Sequence, residues 1–240
     1  MDPFSFPPVA AVLRAASTAL TWLADALAPL AGASSAALAV VLVTLVVRAA
    51  LVPVGVAQAR AEQARARLAP KLRAVRSRHA KDPERLQRET MRVYSDAGVS
   101  PLAGCLPLLA QAPVVAIIYG VFLHAEIGGA ANELLTHELW GVPLGASAAG
   151  LAGGGMDVAS VALFAAIAVV LLAVGEVTRR LFRIPAAADG PDLRWLGLLQ
   201  FATAVIAMFV PLAAALYLVV TTAWTLGQRL VLRRVYPLDA

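Results

Sequence analysis

Residues 36–57 form an apolar run in which a single side chain, Arg48, is charged. As a helix rising roughly 1.5 Å per residue, such a run matches a hydrocarbon core of roughly 30 Å, so it reads as a membrane span with a guanidinium inside it. Arg48 lies about 13 Å from the end of the run, near the limit of what a long side chain covers by snorkelling. None of the other apolar runs contains Asp or Glu. An arginine at this depth costs at least about 2.5 kcal/mol on insertion scales, and it marks a water-filled cavity or a substrate path. The plainer alternative is an arginine that reaches lipid phosphates or helix carbonyls.

The rest of the chain is as apolar as that run implies. Hydrophobic residues make up 60% and charged residues 15%. Mean hydropathy is +0.76, outside the range of soluble domains. Five spans are predicted, at residues 36–57, 102–123, 158–175, 195–208 and 212–232; the third is marginal in length and the fourth short. Of the 20 Lys and Arg residues, 11 lie between Arg60 and Arg92, four between Arg179 and Arg194 and three between Arg229 and Arg234, whereas residues 123–157 have none. By the positive-inside rule this places the N-terminus outside, the C-terminal tail (residues 233–240) in the cytoplasm, and the loops 58–101 and 176–194 on the cytoplasmic side. The sequence pI near 10.0 therefore follows from topology and lipid attraction rather than from a DNA-binding domain.

The fold class expected is an all-α membrane protein with an interfacial helix and a cytoplasmic hairpin added to the five spans. Within residues 1–35, Val9, Val12, Leu13, Ala16, Leu20, Leu23, Leu27 and Leu30 recur at helical spacing, opposite Arg14, Thr18, Thr21 and Asp25. That pattern fits an amphipathic helix on the outer surface, broken by Pro29 and Gly32. No cleaved signal peptide is expected, so the first span carries targeting. Residues 58–101 are basic, and Asp82-Pro83-Glu84 supplies a cap, a first-turn proline and an acidic first turn. A helical hairpin follows: residues 58–79 outward, 83–97 back, Gly98 as the stop. Leu68, Leu72 and Val75 against Leu86, Val93 and Tyr94 make a thin seam, so the hairpin should be mobile, with a bend at Pro70. The outer connection 124–157 contains a Gly-, Ala- and Ser-rich stretch, residues 141–155, that reads as flexible. The sole cysteine, Cys105, has no partner for a disulfide, and no metal or cofactor is expected.

The second span opens Ser100-Pro101-Leu102-Ala103-Gly104-Cys105-Leu106-Pro107, followed by Gln111 and Pro113. With the basic hairpin, the span bearing Arg48, and the final span's Pro211, Leu216-Tyr217 and Gln228, this ordered set resembles the YidC/Oxa family of membrane protein insertases from about Val40 to Leu232. Ser100, Leu218 and Thr221-Thr222 depart from the family pattern, which thins the aromatic lining. The large extracytoplasmic domain of some relatives and a long basic tail for ribosome docking are not expected here.

The resemblance implies a non-enzymatic insertase and chaperone with five helices around a hydrophilic groove, open to the cytoplasm and lipid and closed outside. Arg48, Thr44, Gln111 and Tyr217 would line it. Plainer roles for the last two are a backbone hydrogen bond and core packing. The implied partners are nascent membrane proteins and the bilayer of a bacterial cell membrane, with the Sec translocon, the signal recognition particle pathway and the ribosome as further candidates. The alternative function, a small-molecule or ion transporter, would want coupling carboxylates, broken helices or internal repeats, and none is evident. A scaffold would use the basic hairpin but leave Arg48 unexplained.

Overall fold

The computed structural model describes residues 7–98, 100, 112, 116–117, 119–122, 124, 126–127, 130–182 and 198–237. The expected second span therefore lies largely outside the described residues, as do Gln111 and Cys105. What is described is mostly helical. In chain order the elements are α1 (Pro7–Ala31), a 3-10 turn (Gly32–Ser34), α2 (Ser35–Ala50), α3 (Val52–Arg78), α4 (Pro83–Asp96), β1 (Glu126–Ile127), β2 (Ala130–Ala131), β3 (Glu138–Leu139), β4 (Val142–Pro143), α5 (Ala148–Ala152), α6 (Val158–Leu181), α7 (Leu199–Phe209) and α8 (Leu212–Val235). Three of these stretches, Pro7–Ala50, Val158–Leu181 and Leu212–Val235, are long and apolar enough to cross a membrane. At roughly 1.5 Å per residue, the 11 residues of α7 extend only about 16 Å.

The chain divides into two compact units. One comprises residues 1–48 and 115–226, the other residues 49–114 and 227–240. In the first, α6 packs along α7 and α5 packs against both. Leu163, Phe164, Ile167 and Leu171 form the buried stripe of α6, while Val161, Val169, Val170 and Leu172 are exposed on its other side. An apolar residue on the outer face of such a helix needs no water-excluding partner in the protein, because lipid is its solvent. Asp157 caps α6 by accepting from the Ser160 amide at 3.1 Å. The small residues Ser35, Ala36, Ala37 and Ala39 are buried on α2 together with Val40 and Thr44, and small side chains let backbones approach closely.

In the second unit, α3 and α4 pack on each other across the turn at residues 79–82. Asp82 accepts from the Arg85 amide at 3.0 Å, and α4 is followed by Gly98 at φ +62°. Only Leu68 is buried on α3, and α4 buries none of its residues.

Three expectations require correction. The first apolar run is not one helix to residue 57: α2 stops at Ala50, Leu51 turns, and α3 starts at Val52. Pro53 has no N–H to give the Ala49 carbonyl, so the ladder breaks there. Arg48 accordingly sits in the last turn of α2. Second, residues 141–155 are structured. β3 and β4 pair antiparallel, Leu139 opposite Val142, with Val142 and Leu144 fully buried. Third, the four short strands depart from an all-helical chain.

Candidate functional site

The site is built in the first unit, where α2 brings Arg48 to α8. The last turn of a helix suits a cation, because unpaired carbonyls leave partial negative charge there. The Arg48 Nε donates to Thr221 Oγ1 at 3.4 Å, and the guanidinium also interacts with the Tyr217 side chain. Tyr217 and Thr221 are four residues apart, hence on one face of α8, and both are buried. Thr225 continues the same face one turn later, its hydroxyl donating to the Thr221 carbonyl at 2.7 Å, so this length of α8 carries a polar stripe that meets Arg48 at Tyr217 and Thr221. Arg48 itself is half-buried. Among the described residues it has no carboxylate partner.

Thr44 lies one turn before Arg48 on α2, as its spacing predicts, but it is only 1% exposed. Its hydroxyl donates to the Val40 carbonyl at 2.7 Å. Thr221 and Tyr119 were not expected at the site. Thr221 was detectable as the residue one turn after Tyr217. Tyr119 is half-buried and interacts electrostatically with Tyr217, and nothing in its local sequence marked it. Among the described residues no cluster of His, Cys, Asp and Glu could hold a metal ion.

The start of α8 is tightly packed. Leu212, Ala213, Ala214 and Ala215, at the start of α8, are completely buried. Helix N-termini leave amides unpaired, and here the connection before α5 supplies the acceptors: Leu212 N donates to Ala146 O at 2.7 Å and Ala213 N to Leu144 O at 3.0 Å. Val121, Phe122, Leu134, Val142 and Leu144 are buried in the same unit. Asn132 donates through Nδ2 to the carbonyls of Val121 and His124. Thr221 stands nine residues beyond Leu212, about 14 Å along the helix from this packed end.

The second unit contains a cleft of about 590 Å³ between α3 and α4, lined by Leu72, Leu86, Met91 and Tyr94 with Arg73 and Arg76.

The family described as 60Kd inner membrane protein matches residues 27–239. The chain belongs to this family, that of the YidC/Oxa membrane protein insertases, and with its long apolar helices it is an integral membrane protein. It is 27% identical over 220 residues to the membrane protein insertase YidC of Streptomyces avermitilis, a match covering 83% of this chain and 51% of the relative. It is 37% identical over 108 residues to YidC of Oceanobacillus iheyensis, covering 43% of this chain and 40% of that one. It is 42% identical over 109 residues to the chloroplastic inner membrane protein PPF-1 of Pisum sativum, covering 45% and 24% respectively. The chain thus spans between a quarter and a half of the length of these relatives.

Proposed function

We propose that this protein is a membrane protein insertase that receives apolar polypeptide segments at a hydrophilic groove around Arg48 and releases them sideways into the bilayer. One observation carries the reading: a half-buried arginine without a carboxylate partner among the described residues faces a polar stripe on α8, and that stripe ends at a dry plug of fully buried residues. The groove is proposed to be walled by five spans, with Gln111 contributing from the second, and to open toward the cytoplasm. The N-terminus would be outside and the C-terminal tail inside. The α3–α4 pair would be a cytoplasmic hairpin that meets substrate or targeting partners such as the Sec translocon, the signal recognition particle pathway or the ribosome.

The energetics favour capture followed by release. Each unsatisfied backbone group of an entering chain costs several kcal/mol in hydrocarbon, so a wet groove lowers the barrier by shortening the dry path. A substrate carboxylate about 4 Å from Arg48 gains about 4 kcal/mol at an effective dielectric near 20. A span of about 20 leucine-like residues gains roughly 6–12 kcal/mol on entering lipid. Lipid entry outweighs the attraction to Arg48 and is complete only when the segment leaves, so Arg48 holds a substrate without trapping it. The membrane potential adds about 2.3 kcal/mol per charge per 100 mV. The chain's own residues attract, hydrate and let go, and no covalent step is involved.

The test is photocrosslinking from Tyr217 and Gln111 to ribosome-stalled nascent membrane proteins, combined with complementation of insertase-depleted cells. Substrate adducts at both positions and rescue by the wild-type chain are expected. Rescue without adducts at either position would remove the groove from the mechanism, and failure of the well-expressed wild-type chain to rescue would count against the insertase reading.

A further inference from the structure

Trp140 combines two features that the folding of its own loop does not require. It occupies the first position of the two-residue turn between β3 and β4, with φ at +54°, followed by Gly141 at +84°. Turns with both central residues at positive φ suit Asn-Gly or Gly-Gly, and a bulky side chain there is an outlier. The indole is also 72% exposed, with no packing that would offset the unfavourable backbone. A strained residue persists only where its surroundings fix it, and this turn is fixed on both sides. Leu144 N donates to His137 O at 2.8 Å, Gly145 N donates to Leu135 O at 3.1 Å, and Val142 and Leu144 anchor the far strand in the core. The hairpin is a rigid mount for an outward-facing indole.

Its position suggests what the indole meets. The 3-10 turn Gly32–Ser34 packs against β3, and the apolar helix α2 begins immediately after that turn. Leu30, just before the turn, is 84% exposed. The same connection holds the first amides of α8 through Leu144 and Ala146. The hairpin therefore lies beside the break that interrupts the apolar stretch Pro7–Ala50 and beside the start of α8, itself long and apolar enough to span, and the start of such a helix is the level at which hydrocarbon gives way to headgroups. Tryptophan favours that boundary because its ring is apolar and its Nε1–H can still find a polar partner. Residues 123–157 contain no Lys or Arg, so attraction to anionic headgroups has no part in the contact.

We propose that the β3–β4 turn inserts Trp140 into the lipid interface on the α8 N-terminal side, with Leu30 beside it. It would act as an anchor that fixes the height of the packed end in the bilayer. The inference depends on the chain spanning a membrane and not on the insertase reading.

The experiment uses the full chain with Trp22→Phe, Trp195→Phe and Trp224→Phe, reconstituted in phosphatidylcholine vesicles, so that Trp140 is the one emitter. Blue-shifted emission is expected, with strong quenching by lipids carrying a nitroxide near the headgroup and weaker quenching by chain-end nitroxides or aqueous iodide. Adding phosphatidylglycerol should leave these values unchanged. Iodide quenching like that of a free indole overturns the proposal, and so does resistance to every quencher, which would mean a protein-covered site. If the triple variant does not fold, the difference in emission between wild type and Trp140→Phe reports the same indole. Trp140→Gly, which removes the strain, should fold at least as well in detergent.

Discussion

At the scale of single residues, Arg48 is the group whose chemistry can be separated from its packing. Its Nε contact with Thr221 is long at 3.4 Å, so little stability depends on that bond, and its distinctive chemistry is a half-buried positive charge beside the buried Tyr217 and Thr221. A lysine retains a point charge and hydration but lacks the planar fork. Arg48→Lys should therefore keep most insertion activity for clients with acidic translocated segments. Arg48→Ala should lose about tenfold or more, which corresponds to about 1.4 kcal/mol of lost attraction, and Arg48→Glu should lose more through like-charge repulsion. All three variants should accumulate normally in the membrane, measured by quantitative blotting beside a client-insertion assay. Loss of activity in the lysine variant at normal abundance would show that the fork makes a structural contact, and undiminished activity of the alanine variant on every client would remove the charge from the mechanism.

At the scale of elements, the contacts of the second unit concentrate at the start of α3, and little of α3 beyond it or of α4 is buried. Near the start of α3, a Cβ placed on Gly55 would lie 1.7 Å from Gln228 Nε2. Further along, Arg60 donates to the Tyr236 hydroxyl at 3.1 Å and lies over its ring at 5.4 Å, while Gln63 donates to the Pro237 carbonyl at 2.9 Å. The end of α8 and the residues after it thus hold the first turns of α3. The atom met is the far end of a flexible side chain, so Gly55→Ala should move the Gln228 amide aside and cost under about 1 kcal/mol, and adding Gln228→Ala should remove that cost, as read from thermal unfolding in detergent. Additive effects would mean that the two positions do not touch. Beyond those turns, Leu68 is the one buried side chain of α3 and α4 buries none, so amides of the rest of α3 and of α4 should exchange with solvent far faster than those of α6 and α8. Equally slow exchange throughout would make the pair a rigid brace. Deleting the tip around Asp82 and Pro83 should then impair insertion, assayed on reconstituted protein, without lowering the amount of folded protein.

At the scale of the whole chain, the sequence specified what its local chemistry repeats and missed what tertiary contacts create. The cap at Asp82, the stop at Gly98 and the break at Gly32 were legible because each depends on one residue's own conformational preference. The end of α2 was misplaced because hydropathy continues past Ala50, whereas the helix obeys the missing N–H of Pro53. Residues 141–155 look flexible by composition, yet their carbonyls satisfy the start of α8, a bond between distant parts of the chain that no local pattern announces. Arg48 stands out by its charge in an apolar run and Tyr217 by the family resemblance, whereas the contact between Arg48 and Thr221 is a tertiary one that helical spacing alone does not reveal. The plug at the start of α8 yields the last prediction, a gradient of water along that helix. In a Cys105→Ser background, Thr225→Cys, Tyr217→Cys and Ala215→Cys lie at successive depths toward the packed end. A membrane-permeable thiol reagent should label them in that falling order, with Ala215→Cys close to inert because its position is completely buried. An impermeant reagent on the α8 N-terminal side of the membrane should label none of the three. Labelling of Ala215→Cys from that side would mean a path through the plug, and inertness at all three would mean that Arg48 sits in a dry core.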